Sequence, residues 1–163
     1  MSWRVFLLVP VLCIGCGSDD AADQVRGSGR FILTRSAPAP RTLVDGPAVA
    51  RFCARDSILS VVVLGDRWNA ALALRTAWPL TRHFSLDTLP DGIGTAAVGA
   101  RSVKDSVGVA LVSRSGSVEL DVGALLAGHF TAEAGLDSTR VTLTGRFEGV
   151  KPDTTSCANP GGG

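Results

Sequence analysis

Tyrosine is absent from this 163-residue chain, histidine occurs only as His83 and His129, and glutamate only as Glu119, Glu133 and Glu148. These shortages narrow the chemistry. A paired-carboxylate glycosidase site is not assignable, because all three glutamates fall at outward positions of alternating segments. There is no G-x-S-x-G, no H-E-x-x-H and no P-loop, and Gly92-Ile93-Gly94 lacks the third glycine and the following helix of a dinucleotide fingerprint. Neither charge sign predominates, with 16 Lys+Arg against 15 Asp+Glu. That balance argues against nucleic-acid binding, which needs a basic excess, and against an acidic solvating role. No apolar run reaches the roughly 20 residues of a transmembrane helix.

What is present is concentrated at the start. Met1-Ser2-Trp3-Arg4 carries one positive charge, residues 5–14 are almost wholly apolar with Pro10 in their midst, and Gly15-Cys16 closes the run before polar Gly17-Ser18-Asp19-Asp20. A cationic segment, a short apolar segment and a small residue are the parts of a secretory signal. With Cys13-Ile14-Gly15-Cys16 at its end, the segment resembles the lipobox signal of bacterial lipoproteins; Cys13 stands where the family usually has Leu. The resemblance implies cleavage between Gly15 and Cys16 and diacylglycerol on the Cys16 thiol. Gly17, in place of the aspartate that favours inner-membrane retention, implies sorting to the outer membrane. The alternatives are a secretory peptide cut near Gly17 or Ala22, giving a soluble protein, and a retained membrane helix. Two or three acyl chains anchor stably, since each buried CH₂ contributes about 0.8 kcal/mol.

Four cysteines then divide by role. Cys13 leaves with the signal and Cys16 takes lipid. Cys53 and Cys157 remain, in a compartment that permits disulfides. Neither has a His or Cys neighbour at metal spacing. A Cys53–Cys157 bond is the expectation, with a reactive thiol or a metal ligand as alternatives. It closes a loop of about 100 residues, worth roughly 4–5 kcal/mol in the chain-entropy model.

The chain accordingly divides into a signal over 1–15, a lipidated cysteine and flexible tether over 16–28, one domain over 29–150, and a tail over 151–163 fixed in part by Cys157. Period-two alternation runs through the domain. Residues 68–78 place Trp68, Ala70, Leu72, Leu74, Thr76 and Trp78 on one face, with an alanine-rich helix as the runner-up. Residues 58–64 are apolar on both faces and rich in valine, which reads as a central strand enclosed on both sides. Residues 117–122 alternate, as do residues 139–148, where Gly145 interrupts the apolar row and marks a bulge or a close backbone approach. Further strands are expected at 29–35, 49–55, 83–88, 95–103, 107–114 and 128–134. Leu89-Pro90-Asp91-Gly92 reads as a turn, Gly65-Asp66 and Arg114-Ser115-Gly116 as hairpin connections, Ala37-Pro38-Ala39-Pro40 as a stiff extended linker, and residues 122–128 as a helical turn or wide loop. Nine or ten strands point to an all-β fold: an antiparallel β-sandwich, or alternatively a small up-and-down or Greek-key barrel.

Ser117-Val118-Glu119-Leu120, Gly128-His129-Phe130-Thr131-Ala132 and Val141-Thr142-Leu143-Thr144-Gly145-Arg146-Phe147 are together similar to the end of β-rich bacterial lipoproteins of unassigned function. The resemblance covers about a third of the chain after Cys16 and implies a β fold without an activity. Candidate site residues are few. His83, Ser85 and Asp87 share one strand face, the types of a base, a nucleophile and an orienting carboxylate, but no elbow accompanies them and His83 reads as a half-exposed strand residue. His129 alternates with Phe130 and is expected in solvent. Asp19, Asp20 and Asp23 solvate the tether. Trp68 and Trp78 are expected in the core, with an aromatic ligand platform as the alternative. No catalytic, cofactor or metal residue is assigned. The expected function is that of a membrane-anchored envelope lipoprotein with a non-catalytic interaction or structural domain, whose partners are the membrane, through Cys16, and an envelope protein. The alternatives are a lipocalin-like barrel for an apolar ligand and a hydrolase without a recognisable motif.

Overall fold

The structure, a computed structural model, describes residues 29–37, 39–77, 80–104, 110–136 and 139–154. They form ten strands and, among the described residues, no helix: β1 (Gly29–Ala37), β2 (Arg41–Cys53), β3 (Ile58–Val63), β4 (Trp68–Arg75), β5 (His83–Leu86), β6 (Thr95–Ser102), β7 (Ala110–Val122), β8 (Leu126–Leu136), β9 (Thr139–Val150) and β10 (Pro152–Asp153). Every long strand pairs antiparallel with its sequence neighbour, and β9 pairs back onto β1. The sheet therefore closes into an up-and-down barrel. Eight strands make the ring and β5 is a ninth, wedged between the lower parts of β6 and β7. The expected sandwich is corrected to the barrel alternative. Both architectures share one alternating pattern, and only the β1–β9 pairing, which removes the open edges, separates them.

The wedge has a specific cause. β6 and β7 pair directly at Gly99–Val112 and above. Below that point β5 runs parallel to β6 and antiparallel to β7. At the fork Ser113 is fully buried; it accepts the Val98 N–H at 3.0 Å and donates its hydroxyl to the Asp87 carbonyl. One side chain thus satisfies the two backbone groups that the splitting ladder leaves unpaired.

Several local expectations are corrected. Residues 107–114 and 117–122 belong largely to the single strand β7; Arg114-Ser115-Gly116 is not a hairpin connection but a bulge, where the register shifts between Ser113 and Ser115. Gly116 takes φ +136°, and a Cβ there would overlap the Thr131 carbonyl, so only glycine fits. The extra residue moves the inward set from Leu111 and Ser113 to Val118 and Leu120. Residues 122–128 hold neither a helical turn nor a wide loop, because Val122 already pairs with Leu126 in a tight hairpin. Arg35 pairs with Arg41, so the chain reverses between β1 and β2 rather than running on as an extended linker; Pro38 lies outside the described residues. The strand over 68–78 stops at Arg75, though Thr76 keeps the inward side and is fully buried. In the β5–β6 connection Gly94 takes a positive φ of +86°. The outer positions of β3 are half-buried rather than enclosed.

The interior is filled. Phe31, Leu33, Leu59, Val61, Leu72, Leu74, Val98 and Leu143 each have no accessible surface. A void wide enough for water would leave surface on its lining. On β1, β9 and β8 three phenylalanines share the space with glycines opposite: Phe31 faces Gly46, Phe130 faces Gly145 and Phe147 faces Gly128. The rings of Phe31 and Phe147 stack at 6.2 Å, and Phe31 and Phe130 meet tilted at 6.0 Å. Gly145 is thus the close approach expected of it, not a bulge.

The strand directions also define two ends. Gly29, the β2–β3 turn, the β4–β5–β6 connections, the β7–β8 hairpin, the end of β9 and β10 lie at one, called here the entry end. The β1–β2, β3–β4, β6–β7 and β8–β9 connections lie at the other.

Candidate functional site

The outer wall carries one organised set of functional side chains. Residues exactly one pleat step outward from the core positions fall into cross-strand register over six strands: His83 on β5 faces Glu119 on β7, Glu119 faces His129 on β8, His129 faces Arg146 on β9, and Arg146 faces Ile32 on β1, which faces Asp45 on β2. The alternation that buries Val118, Leu120, Phe130 and Phe147 turns Glu119, His129 and Arg146 out. Both histidines of the chain flank one carboxylate. His129 Nε2 lies 3.4 Å from Glu119 Oε2, both largely exposed. At the β2 side Arg30 grips Asp45 through two hydrogen bonds of 2.7 Å. The Arg30 hydrogen bonds hold the Asp45 carboxyl below its ordinary range against the opposing effect of desolvation, aided by the positive charges of Arg30 and Arg146; Arg30 is raised in turn, first by its hydrogen bond to Asp45.

Around this row the wall dips into an open depression of about 480 Å³ between Arg82, His83, Glu119, His129, Arg146 and Glu148. Leu120, Ala127, Gly128 and Phe147 also line it, between the charged side chains. From β5 to β9 the row runs base, acid, base, base (His83, Glu119, His129, Arg146), side chains at strand spacing that offer hydrogen bonds to a polar surface. Among the described residues no group of three or more His, Cys, Asp and Glu side chains is placed to hold a metal ion.

The sequence-derived candidates distribute as follows. His83, Ser85 and Asp87 are all exposed on one side of β5, as their spacing predicts. They do not converge: His83 faces Glu119, Ser85 faces Ser117, and the Asp87 carboxylate accepts the Thr88 N–H at 2.6 Å and its hydroxyl at 2.9 Å, which holds it below the ordinary carboxylate range. Trp68 is half-buried and packs against the core at the start of β4; Trp78 lies outside the described residues. Cys53 ends β2 and is half-buried. Beside it β10 runs parallel to β2, with Pro152 opposite Ala50 and Asp153 opposite Arg51, so the first tail residues are already part of the wall. Gly15, Cys16, Cys157 and Asp19, Asp20 and Asp23 lie outside the described residues.

The row itself escapes a strand-by-strand reading. Its members are visible as outward residues, but their mutual contact depends on registers that short turns and bulges set. Recognising the tight hairpin at Gly123–Leu125 is the signal that pairs Glu119 with His129. No family model, curated protein or solved structure matches this chain.

Proposed function

We propose that the chain is an exported lipoprotein, held at a membrane by acyl chains on Cys16 and carrying a non-catalytic barrel that makes polar contacts within the cell envelope. The observation that carries the anchor is the order of the first sixteen residues: one cation, a short apolar run, then Gly15-Cys16. The filled interior supports an interaction or structural role over apolar-ligand binding: of Trp68, Leu72 and Phe147, which would line such a cavity, Leu72 and Phe147 are at most 2% accessible and Trp68 is half-buried against the core. The separation of His83 and Asp87 supports the same reading over a hydrolase. The polar row from His83 to Arg146 is the contact face this reading assigns to an envelope partner.

In this reading Cys53 and Cys157 form a disulfide at the entry end. The support is directional: β10 runs alongside β2 toward Cys53, and Cys157 follows Asp153 by four residues. The test of the anchor is a Cys16→Ala variant followed by membrane fractionation. The parent chain is expected in the membrane fraction and released only by detergent, and the variant is expected to accumulate as unprocessed precursor. Equal fractionation and equal length for both contradict the proposal.

A further inference from the structure

We infer that the entry end of the barrel rests on the lipid bilayer, with Leu89, Ile93 and Leu125 as its contact side chains. The inference rests on the lipid anchor at Cys16 and adds an orientation to it. Twelve residues separate Cys16 from Gly29. A coil of that length and composition averages about 20 Å end to end and reaches at most about 40 Å. Gly29 opens β1 at the entry end, so this end is held within a short distance of the headgroups while the other end points away.

Three of the most exposed large apolar side chains occupy that same end: Leu89 is 74% accessible, Ile93 56% and Leu125 48%. Leu125 sits in the β7–β8 hairpin. Ile93 is fixed beside the end of β4, because the Gly94 N–H donates to the Arg75 carbonyl at 2.8 Å. The Arg75 guanidinium donates to the Pro90 and Asp91 carbonyls at 3.4 Å, which keeps the segment carrying Leu89 at the same place. The exposed cation of the β2–β3 turn, Arg55, is taken by Asp56 at 3.1 Å. Asp91, between Leu89 and Ile93, and Lys151 are also exposed at this end, so the contact is of the interfacial kind, which buries a few apolar side chains among polar ones at the headgroup boundary. Leu64 at 46% and Val103 at 52% are equally exposed at the far end. Apolarity alone does not choose between the ends; the entry point of the tether does.

Hydroxyl-radical footprinting of the full processed chain, reconstituted in vesicles of phosphatidylethanolamine and phosphatidylglycerol, tests the orientation. Leu64 and Val103 serve as internal references, and intact mass on the same sample reports whether acyl chains are present. With acyl chains present, labelling of Leu89, Ile93 and Leu125 is expected to fall by about threefold or more relative to the references. The triple variant Leu89→Asp, Ile93→Asp, Leu125→Asp is expected to stay on the vesicles through its acyl chains while the entry-end backbone and neighbouring side chains regain labelling. Unchanged ratios in an acylated, vesicle-bound chain overturn the orientation and leave the anchor standing. If the mass shows no acyl group, the anchor reading fails by itself. The unmodified chain mixed with the same vesicles then decides the face: entry-end protection sustains it, and its absence overturns it too.

Discussion

Replacing Gly145 by alanine inverts the usual effect of removing a glycine from a strand. Ordinarily the change gains about 0.5–1 kcal/mol, because glycine gives up more backbone freedom on folding. Gly145 has no left-handed backbone to protect, so nothing in its own conformation forbids a methyl group. The obstacle is the ring of Phe130 on the facing strand, which an added Cβ would overlap. Phe130 is 2% accessible and leans on Phe31, which in turn stacks on Phe147, and Phe147 covers Gly128. No ring in this group has room to retreat. Overpacking of that kind costs about 1–3 kcal/mol, so a net loss of about 1–2 kcal/mol remains after the backbone gain. With an m-value of about 1–3 kcal/mol per molar urea, the unfolding midpoint falls by roughly 0.5–1 M. Phe130→Ala alone costs about 3–5 kcal/mol; in its presence Gly145→Ala should become neutral or stabilising, because the ring is gone. Gly92→Ala serves as control, since its nearest neighbour is Thr95 Cγ2 at 3.9 Å. The reasoning is refuted if Gly145→Ala leaves the midpoint unchanged, or if it costs as much without the Phe130 ring as with it.

Ser113→Ala should cost about 1–3 kcal/mol by stranding the Val98 N–H and the Asp87 carbonyl, and amide exchange in β5 should accelerate well before that of β8 and β9. The Asp45 carboxyl should titrate below the ordinary value of about 3.9, and Arg30→Gln should raise it, as read by NMR. A carboxyl lowered in the folded state stabilises above its unfolded pKa and loses that contribution as pH falls through the folded one; the pair is exposed, so the effect on global stability should be small and salt-sensitive. Non-reducing peptide mapping should recover Cys53 and Cys157 in one linked species, and Cys53→Ser with Cys157→Ser should lower stability by up to roughly 4–5 kcal/mol; separate, alkylatable thiols contradict the pairing.

Strand content was legible because inward and outward residues alternate so regularly in segments such as Val118–Val122 and Val141–Phe147. The inward side of β4 was legible as far as Thr76 for the same reason. Closure was not, because the pairing of Phe31 with Phe147 joins residues more than a hundred positions apart and leaves no trace in either strand's pattern. Bulges hid more. At Gly116 one inserted residue shifts the inward set, so β7 read as two strands with a turn between them. The wedge of β5 depends on the single buried hydroxyl of Ser113, which looks like any other serine in a polar-looking stretch. The contact row was half visible: His129 and Glu119 were readable as solvent-facing, but their adjacency follows from the hairpin register. The two motifs of G-x-F form, at Gly128 and Gly145, were readable as strand grammar. Their reciprocal fit, each glycine under the other strand's ring, needs the antiparallel register of β8 and β9.

The central claim is the anchor, and intact mass of the membrane-extracted chain tests it most directly. The account predicts a species that begins at Cys16, lacks residues 1–15, and carries the added mass of a diacylglyceryl group on that cysteine. A chain beginning at Cys16 without added lipid, one cut at another position, or one retaining Met1 through Gly15 would contradict it.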